Sequence, residues 1–169
     1  GHGELAAVGE QRGALGDAGV DVARHLVAVG LVDERAHLGA LLEAVAGVNP
    51  NVVVVLANGS VVAVDGWRQH VRAIVEGWLG GQAGGSAIVD VLLGAVNPSG
   101  RLAETMPIRL QDTASYLNFP GEDGHVCYGE GLHVGYRHHD AIDGPVSYPF
   151  GHGLSYTSFE YTDLTVAVH

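Results

Sequence analysis

Apolar and polar positions divide the chain near residue 100. The stretch Glu4–Arg24 is rich in Ala and Gly and predicts weak helix over Leu5–Gln11 and Ala14–Ala23. His25–Gly30 is a short apolar run that stops at Gly, the pattern of a buried strand, and the polar stretch Asp33–Leu38 predicts a loop. Leu41, Leu42, Val45 and Val48 then recur at helical spacing, which predicts an amphipathic helix over Gly39–Val48, ended by Asn49-Pro50-Asn51. Val52–Ala57 is continuously apolar and mostly β-branched, as in a central parallel strand covered on both faces, and Asn58-Gly59-Ser60 breaks it. Val71, Ile74, Val75 and Trp78 share one helical face and predict a helix over Trp67–Leu79 with Trp78 in the core. After the flexible stretch Gly80–Gly85, Ser86 is placed to cap a helix over Ala87–Leu93, and Asn97-Pro98-Ser99-Gly100 reads as a turn.

Strands alternating with helices predict the α/β class: a three-layer sandwich with a mainly parallel sheet flanked by helices. Beyond Arg101 the texture is rich in Pro, Gly, Tyr and His, so the C-terminal half is expected to be loop-rich, with strand-like pieces at Leu132–Arg137 and Phe159–Val168.

Composition narrows the function. The 169 residues carry 8 basic and 19 acidic side chains, a net charge of −11, and every basic residue is Arg. Such a balance argues against nucleic acid and against anionic membrane surfaces as partners. No apolar run approaches the ~20 residues of a membrane span. Cys127 is the one cysteine, so no intrachain disulfide supports the fold, and a packing role is expected for it. No signal peptide is visible, and a cytoplasmic location is compatible with both features.

Several blocks, in order, carry a resemblance. They are Ala40–Val45 leading into Asn49-Pro50-Asn51 and Val52–Leu56, then Asn58-Gly59-Ser60, Gly81–Gly94 and Asn97–Leu102. Tyr128-Gly129-Glu130-Gly131-Leu132-His133-Val134-Gly135-Tyr136-Arg137 and Tyr148–Phe159 complete the set. Together they resemble the C-terminal α/β-sandwich domain of glycoside hydrolase family 3, the β-glucosidase family, over residues 25–163. Residues 1–24 then read as an N-terminal helical segment or cap, and 164–169 as a tail.

The resemblance implies a β-glucosidase-type hydrolase acting on β-linked glucosides. In this family a (β/α)8 barrel supplies the nucleophilic Asp, and a barrel needs ~250 residues. The chain is therefore expected to be one piece of a multidomain hydrolase. Its partners would be a small carbohydrate and either a separate barrel subunit or a second copy of itself. No cofactor is implied. The alternative reading is a non-catalytic carbohydrate-binding or scaffold domain that completes a separate barrel subunit.

The family's acid/base lies on an acidic Glu-Gly-x-Asp-Arg-like loop. Its counterpart here is a contracted Asp33-Glu34-Arg35 stretch, which makes Glu34 the acid/base candidate by position and Asp33 its companion. Arg35 and His37 on the same stretch are substrate-binding candidates. Retention would need two carboxyls ~5–5.5 Å apart and inversion ~6.5–9.5 Å. Glu130, between two glycines, is the third catalytic candidate; the competing reading has it tying down its loop by accepting backbone N–H bonds. Tyr116, Phe119 and Tyr128 are candidate platforms for a sugar. Arg101, with Asp90 as a possible partner, and Arg137 read as structural. His138-His139-Asp140 is the densest ligating cluster, but it lacks the spacing of a metal site, and no metal is expected. His152 between Gly151 and Gly153 is expected in a tight turn, bonded to backbone.

Overall fold

The computed structural model describes the backbone of Ala6–Val8 and of residues 35–167, and side chains from Leu38 onward. The predicted helix Ala14–Ala23, the predicted strand His25–Gly30, Asp33 and Glu34 lie outside the described residues.

Ala6–Val8 forms a strand, β1, where a helix over Leu5–Gln11 is expected. Small apolar residues with weak helical bias take the conformation that the sheet offers them. Helix α1 spans Arg35–Val48, so Arg35–Leu38 are helical where a loop is expected, and the helix begins earlier than Gly39. It buries Leu38 and Leu42, with Val45 and Ala46 partly buried, a stripe at the i, i+4, i+7, i+8 spacing of one helical face.

Strand β2 (Val53–Leu56) follows the Pro50 break, and β3 (Ala73–Glu76) pairs with it in parallel, Val54 opposite Ile74 and Val55 opposite Val75. β1 pairs antiparallel to the other side of β3, so β3 is the middle strand of the three described. The helix predicted over Trp67–Leu79 is thus replaced by a 310 turn, Arg68–His70, and strand β3. An apolar run this short satisfies either period, and pairing with β2 decides for the strand. The 310 turn is bracketed by an Arg68–Asp65 ion pair at 3.1 Å.

Helix α2 covers Gly84–Leu92 and leaves Val89 and Leu93 exposed while burying Val91. Its N-cap residue is Ala83, not Ser86; the Ser86 hydroxyl instead donates back to the Ala83 carbonyl at 2.9 Å. A second, antiparallel pair joins β4 (Met106–Pro107) to β5 (Val146–Tyr148). Between them lies helix α3, Tyr136–Ile142. The strand expected over Leu132–Arg137 is therefore a turn running into a helix, and residues 159–167 form no strand. Both segments are exposed, so no burial against the core selects a strand there.

One core joins the two sheets: Leu42, Val52, Val54, Leu56, Val64, Trp67, Ile74, Leu102, Met106 and Tyr148 pack together. Trp78 packs against this core as expected, but from the turn after β3 rather than from a helix. Helix and strands in layers, with no closed barrel among the described residues, match the expected α/β sandwich. The C-terminal segment crosses back over the Asn97–Gly100 turn. Tyr156 N and Thr157 Oγ1 bond the Asn97 side chain at 2.7 and 3.0 Å, and Ser155 Oγ donates to Pro98 O at 2.8 Å.

Candidate functional site

Two loops after β4 meet through one side-chain bond. The first begins with a 310 turn, Leu110–Asp112, and tightens again at Ser115, whose carbonyl accepts from both Asn118 N and Phe119 N at 2.9 Å. A cis Phe119–Pro120 bond follows. Glu122 and His125 then exchange backbone bonds around Asp123-Gly124, both at positive φ, the tight turn that an Asp-Gly pair favours. The chain returns as Tyr128–Gly131, where Asn118 Nδ2 donates to Glu130 Oε2 at 3.3 Å. Gly129 permits this approach: a Cβ there would lie 3.1 Å from Asn118 Nδ2.

The bond gathers the sequence candidates in this region. Tyr116, Phe119 and Tyr128 stand within two residues of its two ends and are 41, 73 and 82% exposed. Exposed aromatic faces beside a carboxylate and an amide can stack on the C–H face of a sugar while accepting from and donating to its hydroxyls. Glu130 ties its loop down, as the structural reading expects, but through a side-chain amide rather than backbone N–H groups. Asn118 was not singled out from sequence; no motif marks it, and only the return of the chain at Gly129 brings it to Glu130.

The acidic stretch is only partly placed. Asp33 and Glu34 lie outside the described residues; Arg35 begins α1 and His37 sits in its first turn. The carboxyl ends of β2 and β3 instead reveal Glu76, which the sequence reading passed over as part of a helix. Glu76 is fully buried. Burial pushes its carboxyl up to about 7, against the lowering effect of bonds from Trp78 N and the Asn58 amide; the nearby Glu104 charge adds to the rise. An acidic residue closing the apolar run Ala73-Ile74-Val75 was the available signal.

The remaining candidates separate. Cys127 is exposed rather than packed, because it lies on the irregular loop next to Tyr128 and no core element covers it. Arg101 donates to the Ser99 and Gly100 carbonyls, not to Asp90. The His152 ring stacks on Tyr148 at 5.1 Å, and its buried Nε2 has no partner; its backbone makes the bonds expected of the turn. Burial, then the Arg101 charge, lowers the His152 pKa. His138 and His139 lie on α3 rather than a strand, ring centroids 5.3 Å apart, beside a cleft of about 580 Å³ that Tyr116 and Leu117 also line. Among the described residues, no three His, Cys, Asp or Glu side chains converge as a metal would require. A cleft of about 890 Å³ opens at the amino ends of β2 and β3 around Pro50, Arg68 and Arg72. Open α/β sheets bind ligands at the opposite, carboxyl edge.

Comparison with known proteins agrees with this architecture. Residues 34–156 match the glycosyl hydrolase family 3 C-terminal domain, and the chain belongs to that family. It is 55% identical over 136 residues to an exo-α-(1→6)-L-arabinopyranosidase of Bifidobacterium longum, covering 80% of this chain and 18% of the relative. It is 58% identical over 126 residues to the thermostable β-glucosidase B of Acetivibrio thermocellus, covering 75% of this chain and 17% of the relative. The solved family 3 β-glucosidase of Bifidobacterium adolescentis superposes with a TM-score of 0.73 at 49% identity, over 79% of this chain and 22% of that one. The β-glucosidase of Kluyveromyces marxianus, solved with glucose, gives 0.74 at 38% identity, over 82% and 19%. The chain thus spans about a fifth of the length of these proteins.

Proposed function

We propose that this chain is the site-shaping α/β domain of a β-glucosidase-type glycoside hydrolase, with the Asn118–Glu130 loop pair as one wall of the sugar site. Tyr116, Phe119 and Tyr128 would stack on the sugar, and Glu130 and Asn118 would bond its hydroxyls. Asp33 and Glu34, with Arg35 and His37 at the start of α1, are the proposed acidic side of the site, with Glu34 the proton donor. The nucleophile would come from a barrel domain. The observation that carries this reading is the 3.3 Å Asn118–Glu130 bond, which draws three exposed aromatics into one neighbourhood in a domain of this family.

Saturation-transfer NMR with methyl β-D-glucoside tests the wall directly. Tyr128→Ala and Glu130→Gln should each weaken binding about tenfold, on the order of 1.4 kcal/mol. Equal binding by wild type and both variants would remove this face from the sugar site. Methyl α-L-arabinopyranoside in a parallel titration distinguishes the two sugars named for the relatives.

The same stretch supports a protein partner. Leu117, Leu132 and Ile142 are strongly exposed, and apolar surface of that kind marks association sites. A barrel subunit or a second copy would cover it. Sedimentation velocity separates them: concentration-dependent dimerisation of the chain alone favours the copy, and a monomer that binds an added family barrel favours the subunit.

A further inference from the structure

The loops at the carboxyl edge of the parallel strands are tied through one side chain. Glu76 ends β3 and is 0% exposed. Its Oε1 accepts from Trp78 N at 2.9 Å, and its Oε2 faces Asn58 Nδ2 at 3.4 Å. Asn58 stands two residues beyond β2 and also donates to Ser60 O at 2.7 Å. Trp78 holds φ at +46°, a left-handed conformation that costs a bulky residue energy and must be held by its surroundings. The two loops touch: a Cβ on Gly59 would lie 3.7 Å from Leu79 Cδ1. One buried carboxyl therefore contacts both loops at the edge where open α/β sheets take their ligands.

The groups around Glu76 leave its charge exposed to the proton. In the sheet it stands opposite Ala6 of β1 and Leu56 of β2, neither of which ionises. Among the described residues the charged neighbour is Glu104, whose like charge opposes ionisation. Among the described residues, no ion pair reaches Glu76. The Asn58 Oδ1 atom is buried without a partner, so the amide leaves one site unused beside this carboxyl.

We propose that Glu76 is a proton-operated latch: protonated, it stays buried against the Trp78 amide and the Asn58 side chain and holds both loops; ionised, its buried charge favours opening that contact to water and loosens them. The two N–H bonds favour the carboxylate, but its removal from water disfavours the charge more, so the closed arrangement holds the proton and ionisation works against it. Burial, which places the carboxyl at about 7, sets the change in the neutral range. The shape of the sheet's carboxyl edge then depends on pH through Glu76.

NMR of the whole labelled chain between pH 5 and 9 tests this. The Glu76 carboxyl carbon and the Trp78 amide should titrate with one shared midpoint near 7, while the Trp67 amide stays flat. Asn58→Ala should raise that midpoint, and Glu76→Gln should abolish it at Trp78. A Glu76 carboxyl that titrates near 4.5, or a Trp78 amide that stays flat as the carboxyl ionises, would overturn the latch. An unchanged midpoint in Asn58→Ala would overturn its two-loop form. The wild-type titration decides the matter even if Glu76→Gln does not fold.

Discussion

Tyr156 donates its hydroxyl proton to the Val91 carbonyl at 2.8 Å, joining the C-terminal segment to the last turn of α2. Burial raises the phenol's pKa, so the donor stays protonated across the neutral range. Tyr156→Phe keeps the ring and removes the bond, and should cost about 1 kcal/mol, read from the denaturation midpoint. Asn97→Ala removes two bonds to the same segment and should cost more, about 2 kcal/mol. Little of this is written in single residues. Glu130 could be picked out from its two glycines, but Asn118, Val91 and Asn97 acquire their partners only when distant segments return. Glu76 was hidden by a different cause: its strand was read as part of a helix.

Elements were legible where the apolar period was unambiguous. Leu41, Leu42, Val45 and Val48 gave α1, although its start at Arg35 had no apolar mark to show it. Val52–Ala57 gave β2 because a short β-branched run closed by Asn58-Gly59 favours a covered strand over a helix. The four-residue strand β3 fits both periods, and only its parallel partner decides it. The glycines of α2 make a separate point. Gly85 lies inside the helix, and a Cβ there meets nothing within 4 Å. Gly85→Ala should therefore raise stability by about 0.5–1 kcal/mol, seen as a higher Tm. Gly153→Ala should do the reverse, because its Cβ would lie 2.6 Å from the Gly100 carbonyl oxygen in the C-terminal clasp.

For the whole molecule, Glu76 sets a sign for pH dependence. Its folded pKa is raised from 4.5 to about 7, so the folded state holds the proton more tightly than the unfolded chain. Its contribution is full below pH 4.5 and is lost as pH rises through 7; the shift corresponds to about 3 kcal/mol. His152 acts oppositely: its lowered pKa makes stability fall as pH drops below the ordinary histidine value. In Glu76→Gln the loss between pH 5 and 8 should vanish, leaving the acid-side fall; urea unfolding at a series of pH values measures both. The family was legible at this scale because several sequence blocks in order carry far more information than any one site. The proposed sugar wall was legible only as scattered aromatics, because the Asn118–Glu130 bond beside them forms only when the chain returns.

The central claim is that this domain shapes a glucoside site without holding a complete catalytic pair. Hydrolysis of a chromogenic aryl β-glucoside by the rigorously purified chain, beside Glu34→Gln, tests it most directly. The prediction is no turnover above the blank for either protein. Turnover that tracks the wild-type chain through purification, and falls in Glu34→Gln, would contradict it and mean that the chain assembles its own pair of carboxyls.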